Sequence, residues 1–274
     1  MVDYAKQAHG ASQRRACRVV GISDSVYRYK ADPHRDDEVI SKLQEAVERY
    51  PAYGFDKLFK ILRRWGHPWN HKRVYRVYCE LKLNKRRRGK KRLPSRHPEP
   101  LLAPQQANHC WSMDFMSDAL MCGRRFRTFN VVDDFNREVL AIEVDLSLPA
   151  QRVIRVLERA VAWRGCPNKL RMDNGPEFIS TALAEWADDN DIDLEFIEPG
   201  KPTQNSYVER FNRTYRDEIL NMYVFKNLNE VREITEDWIR EYNEERPHDA
   251  LEDLTPWEYL AKYNNAENSN LECH

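Results

Sequence analysis

The chain has no paired cysteines and no long hydrophobic run. Its six cysteines show neither a C-x-x-C pair nor a regular spacing, which favours free thiols in a reducing compartment over disulfides or a zinc module. No apolar stretch approaches the ~18–20 residues that a membrane-spanning helix needs, and the N-terminus lacks the apolar region of a signal peptide. These absences argue against a disulfide-rich secreted protein and a membrane protein, and we expect a cytoplasmic location with no membrane partner.

Net charge is also absent, since the 274 residues contain 44 basic and 44 acidic side chains. The two signs are unevenly distributed: residues 1–104 contain 25 Lys and Arg against 11 Asp and Glu, whereas residues 105–274 contain 19 against 33. With 41% hydrophobic residues the chain can bury a core. A basic first part joined to an acidic second part indicates a module that binds a polyanion, attached to a region of different chemistry such as a metal site.

Residues 36–84 have the pattern of a helix-turn-helix DNA-binding domain. Apolar residues recur at helical spacing in three segments, residues 38–49, 56–65 and 71–81. A short turn containing Gly66 precedes the third segment, which Asn70 is placed to cap and whose first turns are basic, as in helix-turn-helix proteins. The candidate DNA contacts here are Lys72, Arg73 and Arg76. A small helical bundle with a solvated basic face is the alternative.

The segments on either side of this domain carry weaker signals. Residues 1–35 are typical of a partial helix-turn-helix segment, with two short helices around Gly21, Ser23 placed to cap the second, and too little chain before them to complete a core. Residues 85–106 form a basic, Pro-rich linker, which we expect to be a solvated tether that also contacts phosphates. The candidate DNA contacts in the linker are Arg86, Arg87 and Arg88.

From residue 107 the pattern changes to alternating strands and helices. Strands are predicted at residues 110–115, 126–133, 138–146, 169–172 and 194–197. Helices are predicted at residues 149–163 and 179–190, and another follows the loop after the last strand. This order is that of an RNase H-like α/β domain with a mixed five-stranded sheet. We expect it to span residues 107–221, with all-α helix-turn-helix segments before it and a helical extension over residues 222–274.

Three acidic residues lie on separate elements of this domain. Asp114 is within the first strand, Asp173 follows the fourth strand and precedes Asn-Gly, and Glu209 lies early in a later helix, with 35 residues between it and Asp173. Carboxylates gathered without a cation would repel one another, and Mg²⁺ prefers oxygen ligands. Two such ions can activate the attacking oxygen and stabilise the leaving oxygen of a phosphodiester. We therefore predict that Asp114, Asp173 and Glu209 are catalytic and bind two Mg²⁺ or Mn²⁺ ions.

Other polar residues of this domain have structural explanations or weaker signals. Asp133 and Asp134 end a strand and are interpreted as turn residues. Glu177 has the spacing of a capping box with Asn174. Several side chains that flank Glu209 are candidate DNA contacts, with a solvated surface role as the alternative: Lys201, Gln204, Asn205, Arg210 and Arg213.

Three segments resemble the catalytic segments of DDE transposases with a retroviral-integrase-like core. They are W-S-M-D-F, M-D-N-G-P-E-F and P-G-K-P-T-Q-N-S-Y-V-E-R-F-N-R-T-Y-R-D-E, and the 35-residue gap matches the spacing in that family. Within it, the chain resembles the second-frame (OrfB) protein of the IS-three group of bacterial insertion sequences. That resemblance runs from Y-G-F-D-K-L and N-H-K-R-V-Y to Y-N-E-E-R-P-H-D-A-L and T-P-W-E-Y, and covers nearly all of residues 11–262.

The resemblance implies a transposase that nicks the 3′ ends of its element with water and then joins each freed 3′-hydroxyl to another phosphodiester. It implies double-stranded DNA as the partner, at the terminal inverted repeats and at the target. It also implies a homo-oligomer that holds the ends together, and an upstream-frame OrfA protein or fusion. Two alternatives remain open, a catalytically inactive DNA-binding regulator and an RNase H-like endonuclease that cuts without specific end sequences.

Overall fold

The computed structural model describes residues 1–30, 32–85, 104–175, 177–198 and 202–271. It begins with three short helices, α1 Val2–His9, α2 Gln13–Val20 and α3 Asp24–Arg28. The predicted Ser23 cap is confirmed, because its Oγ accepts a hydrogen bond from N of Val26 at 3.2 Å. The expectation that too little chain precedes α2 is wrong: Val2 of α1 packs on Ala16 and Cys17 and completes a small core.

The helix-turn-helix region contains three further helices, α4 Asp37–Arg49, α5 Phe55–Arg64 and α6 His71–Glu80. Oδ1 of Asn70 accepts a hydrogen bond from N of Lys72 at 2.8 Å, which confirms the predicted cap of α6. Apolar side chains at helical spacing meet in one core, formed by Val39, Leu43, Leu58, Ile61, Leu62, Val74 and Val77. Local periodicity therefore determines this part of the fold.

A mixed five-stranded sheet forms the centre of the second half, as the sequence predicts. Its strands are β1 Cys110–Ala119, β2 Arg125–Asp133, β3 Val139–Asp145, β4 Lys169–Met172 and β5 Asp193–Phe196. They lie in the order β3-β2-β1-β4-β5. β1, β2 and β3 are antiparallel neighbours, whereas β4 pairs in parallel with β1 and β5 in parallel with β4.

Helices cover both faces of this sheet. α7 Ala150–Arg164 and α8 Thr181–Asp189 pack on one face, where Leu157 and Leu183 join the core around Trp111 and Phe129. On the other face lie α9 Ser206–Tyr215, which continues into a π-helical turn Arg216–Leu220, and α10 Leu228–Glu244. The last helix is α11 Pro256–Leu271. No helix in the described part of the chain is long and apolar enough to cross a membrane.

The helix-turn-helix region packs against the segment that follows α10. Nη2 of Arg49 donates to both carboxylate oxygens of Glu245, at 2.6 and 2.7 Å. Lys60 forms ion pairs with Asp249 and Asp253 on the same segment. Exposed ion pairs of this kind each contribute only about 0–1 kcal/mol. Together they connect α4 and α5 to the segment after α10.

Candidate active site

Strand pairing brings Asp114 and Asp173 together. β1 and β4 are parallel neighbours in which Ser112 lies beside Arg171. Two residues further along each chain, Asp114 and Asp173 are therefore at the same level, on backbones that run about 4.8 Å apart in a sheet. Asp173 directly follows the last residue of β4, where the backbone turns away. Both carboxylates consequently lie at one edge of the sheet.

The third acid reaches this edge from α9. Glu209 is in the first turn of the helix, which packs across β1 and β2 through Val208, Phe211 and Tyr215. Burial is the main cause that raises the pKa of Asp114 to about 6; the backbone hydrogen bond from Phe115 opposes it, and the charges of Asp173 and Glu209 raise it further. Asp114 is thus close enough to Asp173 and to Glu209 for both of their charges to act on it.

A chain of two amides connects α9 to Asp114. Nδ2 of Asn212 donates to Oδ2 of Asp114 at 2.7 Å, and Nδ2 of Asn130 on β2 donates to Oδ1 of Asn212 at 2.6 Å. Asn130 and Asn212 are both buried. Because Asn212 lies three residues after Glu209, the same helical face that presents Glu209 also holds Asp114. No sequence motif singles out Asn212, although its spacing of three residues from Glu209 is a usable signal.

A tight turn holds Asp173 in place. Its Oδ1 accepts a hydrogen bond from N of Gly175 at 2.9 Å, and Nδ2 of Asn174 donates to the carbonyl of Ile197 at 3.0 Å. A Cβ atom on residue 175 would lie 2.9 Å from Oδ1 of Asp173 and 3.5 Å from Oε2 of Glu177. Real Cβ atoms essentially never approach within 3.0 Å, so glycine is the only residue that leaves this carboxylate undisturbed.

The neighbouring acids are structural, as predicted, but not always for the predicted reason. Asp133 accepts hydrogen bonds from N of Phe135 and from N of Asn108, both at 2.8 Å. Asp134 pairs with Arg171 at 2.6 Å in the interior. These contacts confirm a structural role for the Asp133-Asp134 pair.

The capping box predicted for Glu177 is wrong. The helix that follows begins at Thr181 and is capped by Ser180, whose Oγ accepts from N of Leu183 at 3.2 Å. Glu177 instead forms an ion pair with Arg127 of β2, and this pair lowers the pKa of Glu177. Since Arg127 also lies over the ring of Phe115, at 4.5 Å, the pair braces the loop after Asp173 against the strand that carries Asp114.

The acids are not yet arranged as a closed metal site. Among the described residues, no three Asp, Glu, His or Cys side chains converge closely enough to hold an ion. The donor set is nevertheless suitable, because carboxylate oxygens are the ligands that Mg²⁺ prefers. Oδ2 of Asp173 accepts no hydrogen bond from the described residues, and Glu209 forms no ion pair with them, so these groups are available as ligands.

The predicted DNA contacts occupy different environments. Lys72 is exposed at the start of α6, whereas Arg73 and Arg76 both pair with Asp36 and lower its pKa, Arg76 having the larger effect. Asn205 is buried, and its Nδ2 donates to the carbonyl of Met113 at 3.4 Å, a contact that anchors the start of α9 to β1.

The remaining candidate DNA contacts lie in or just before α9, or outside the described residues. Gln204 is bound to Glu198, since its Oε1 accepts a hydrogen bond from N of Glu198 at 2.8 Å. Arg213 is exposed and lies 3.9 Å from Asp217. Four candidates fall outside the described residues: Arg86, Arg87, Arg88 and Lys201.

Comparisons with protein families agree with this architecture. Residues 104–202 and 190–256 match two families described as integrase core domains, and residues 34–91 match an HTH-like domain. A simian T-cell lymphotropic virus intasome, solved in complex with the PP2A regulatory subunit B56 gamma, is similar over 80% of this chain and 74% of its own, at 18% identity and a TM-score of 0.47. That similarity is too weak to support a conclusion by itself.

Relatives are found among insertion-element proteins. The 31.7 kDa protein of insertion element IS407 from Burkholderia multivorans is 44% identical over 92% of this chain and 91% of its own length. The 39.2 kDa protein of IS476 from Xanthomonas euvesicatoria is 40% identical over 94% and 75%, respectively. Transposase InsD of Escherichia coli insertion element IS2 is 27% identical over 83% and 80%. The chain belongs to the IS-three-like insertion-element transposases, which are DDE-type enzymes with an integrase catalytic core.

Proposed function

We propose that Asp114, Asp173 and Glu209 bind two divalent cations, Mg²⁺ or Mn²⁺, with which the transposase nicks the 3′ ends of its element and transfers them to target DNA. The observation that carries this proposal is the gathering of three carboxylates at one sheet edge, where Asp173 and Glu209 add to the rise in the pKa of Asp114. A cation would relieve that repulsion. The three acids come from β1, from the end of β4 and from α9, so the sheet and one helix define the site.

The chain's own residues orient the ligands. Asp114 is held at Oδ1 by N of Phe115, at 2.8 Å, and at Oδ2 by Asn212, and each carboxylate oxygen keeps a lone pair for a further contact. The turn at Gly175 orients Asp173 so that its Oδ2 is left for a ligand. Bound cations would activate the attacking oxygen and stabilise the leaving one. The hydrogen bonds of the protein therefore fix the positions of the carboxylates, and the negative charges of the carboxylates attract the metal ions.

Metal removal provides the direct test. Duplex oligonucleotides carrying the terminal inverted repeats expected for the element should be nicked at their 3′ ends only when a divalent cation is present. EDTA should reduce nicking and strand transfer to background, and Mg²⁺ or Mn²⁺ should restore both. Calorimetric titration with Mn²⁺ is expected to give two ions per chain on the DNA complex.

Three results of that assay would contradict the proposal. Nicking that persists in EDTA would exclude metal catalysis by these acids. Cleavage of duplexes that lack the inverted repeats, with no joining, would indicate a stand-alone endonuclease. Sequence-specific binding with no cleavage in any metal would indicate a DNA-binding regulator.

Asn212→Leu is expected to lower the nicking rate of the folded protein, in addition to lowering the free energy of unfolding. Leucine has nearly the shape of asparagine but cannot donate to Asp114 or accept from Asn130. The change removes the partner of two groups, Oδ2 of Asp114 and Nδ2 of Asn130, and each buried polar group left unpaired costs about 1–3 kcal/mol in the free energy of unfolding. Urea unfolding and the nicking rate of the folded fraction measure the two effects separately.

Asn229→Leu is the matched control, because Asn229 is exposed in the first turn of α10 and its side chain contacts only Arg232 of the same helix among the described residues. It should change neither quantity. A wild-type nicking rate per folded Asn212→Leu molecule would show that Asn212 only stabilises the fold and does not position Asp114.

We further propose that the helix-turn-helix domain of residues 36–84 and the linker of residues 85–106 bring DNA to the core of residues 107–221. Lys72 and Arg213 are exposed and suited to phosphate contacts, and Arg73 and Arg76 could exchange Asp36 for a phosphate. The DNA would comprise the terminal inverted repeats and the target. A homo-oligomer would hold two ends together, with an upstream-frame OrfA protein adding further DNA-binding helices.

A further inference from the structure

A basic cleft lies where the helix-turn-helix region, α9 and the segment after α10 meet. It has a volume of about 170 Å³. Five basic side chains and one acid contribute to its lining: Lys57, Arg137, Arg210, Arg246, His248 and Asp249. Arg246, His248 and Asp249 belong to the R-P-H-D segment, which the metal site does not use. Lys57 comes from α5 and Arg210 from α9, directly after Glu209.

Part of this positive charge is neutralised inside the protein. Arg246 is buried in an ion pair with Glu218, and its guanidinium lies 5.2 Å from the ring centre of Tyr53. Asp249, the single acid of the lining, pairs with Lys60. The acids near the cleft are therefore already engaged by other cations.

Two of the remaining cations form no ion pair with the described residues. No carboxylate of the described residues pairs with Lys57 or with Arg210. Burial, and after it the charge of Arg246, lowers the pKa of Lys57 to about 8. Arg137 lies over the ring of Tyr207 at 3.5 Å and adds a third cation to the same cleft. Excess positive potential in a partly enclosed cleft favours an anion.

His248 provides a hydrogen-bonding group that has no internal use. Its Nε2 is buried and has no hydrogen-bond partner among the described residues. Burial, followed by the charges of Arg246, Lys57 and Arg137, holds the pKa of His248 well below its usual range, so the ring is neutral at pH 7. A neutral imidazole can donate one N–H. Buried polar groups are rarely left unpaired, which indicates a missing partner in this cleft.

We propose that the cleft binds one phosphodiester of the DNA backbone, held by Lys57, Arg210 and His248. This inference rests on the proposed function, because the phosphate would belong to the DNA that the metal site cuts or joins. Arg210 follows Glu209 on the same helix, so a phosphate bound between it and Lys57 connects the DNA-binding helices to the catalytic helix. Free inorganic phosphate has the same chemistry and is the competing source.

The salt dependence of DNA binding tests the assignment. The affinity of the protein for a DNA duplex that carries one end of the element is measured by fluorescence anisotropy in EDTA, between about 50 and 200 mM salt. Lys57→Gln and Arg210→Gln should each weaken binding and make the slope of log K against log [salt] shallower by no more than about 0.9, the value for one phosphate. The double variant should also lose about 0.9, because both cations contact the same phosphate. Lys262→Gln, a change at an exposed residue of α11 that pairs with Glu252, should leave the slope as in wild type.

The other outcomes overturn the proposal. An unchanged slope in the double variant, a loss of about 1.8 in the double variant, or an equal loss in Lys262→Gln would each mean that no shared phosphate is bound here. If inorganic phosphate raises the Tm of wild type at matched ionic strength but the DNA slopes do not change, the cleft takes the free anion. Binding in EDTA is independent of metal, so a failure of metal-dependent nicking would leave these results interpretable.

Discussion

Asp173→Asn is expected to fold and bind DNA as wild type does, while nicking and strand transfer fall by about 10²–10³-fold, as when one preorganised electrostatic group is lost from an active site. Asparagine keeps the shape of the carboxylate, and its Oδ1 can still accept the 2.9 Å hydrogen bond from N of Gly175. The amide is neutral, however, and a weaker ligand for a hard cation. The measurement is the rate of 3′ nicking and joining of end-bearing oligonucleotides in Mg²⁺.

A second consequence separates the role of this acid from a general loss of structure. Removing the charge of Asp173 should lower the pKa of Asp114, since that charge is one of the causes that raise it. The shift can be followed by NMR titration of the Asp114 carboxyl without any metal. Asp193→Asn makes the same chemical change at an exposed position of β5 and should affect neither activity nor the Asp114 titration. Wild-type nicking by Asp173→Asn would exclude Asp173 from the catalytic triad.

The local sequence pattern predicts most of the helices and strands. It does not predict the residues by which pairing with a neighbouring strand extends them. The predicted strand over residues 110–115 continues to Ala119, because pairing with β2 runs to the Ala119–Arg125 pair. Helix ends set by capping side chains, such as Ser23 and Asn70, are predicted correctly because a cap involves residues only two or three positions away. The helix α1 is missed because its apolar face is small and finds its partners only in α2.

The site shows the same division between local and long-range information. The prediction of Asp114, Asp173 and Glu209 rests on residue type, spacing and element ends, all of which are contained in the sequence itself. The hydrogen bonds of Asn212 are not local: they depend on how α9 lies across β1 and β2, and they join residues 82 and 98 positions apart. Burial of Asn205 against Met113 and pairing of Arg76 with Asp36 likewise depend on packing between elements.

Gly175→Ala is the second change with a large expected effect. The added Cβ would lie 2.9 Å from Oδ1 of Asp173, so the carboxylate must move away. The displaced atom is the end of a flexible side chain, and the fold should tolerate the change with little loss of stability. A misplacement of about 1 Å at a reacting centre can cost on the order of 10²-fold in rate. We therefore expect nicking to fall by about that factor while the Tm stays near that of wild type.

Gly54→Ala is the matched control, because a Cβ on Gly54 would meet no atom within 4 Å. It should leave the nicking rate unchanged. The double variant Asp173→Asn/Gly175→Ala should be no slower than Asp173→Asn alone, since both changes act on one carboxylate and such effects are not additive. If the two substitutions instead lowered the nicking rate by independent factors that multiply in the double variant, Gly175 would serve another purpose, such as allowing a close approach of DNA. Full activity of Gly175→Ala would mean that the orientation of Asp173 in this turn is not the orientation used in catalysis.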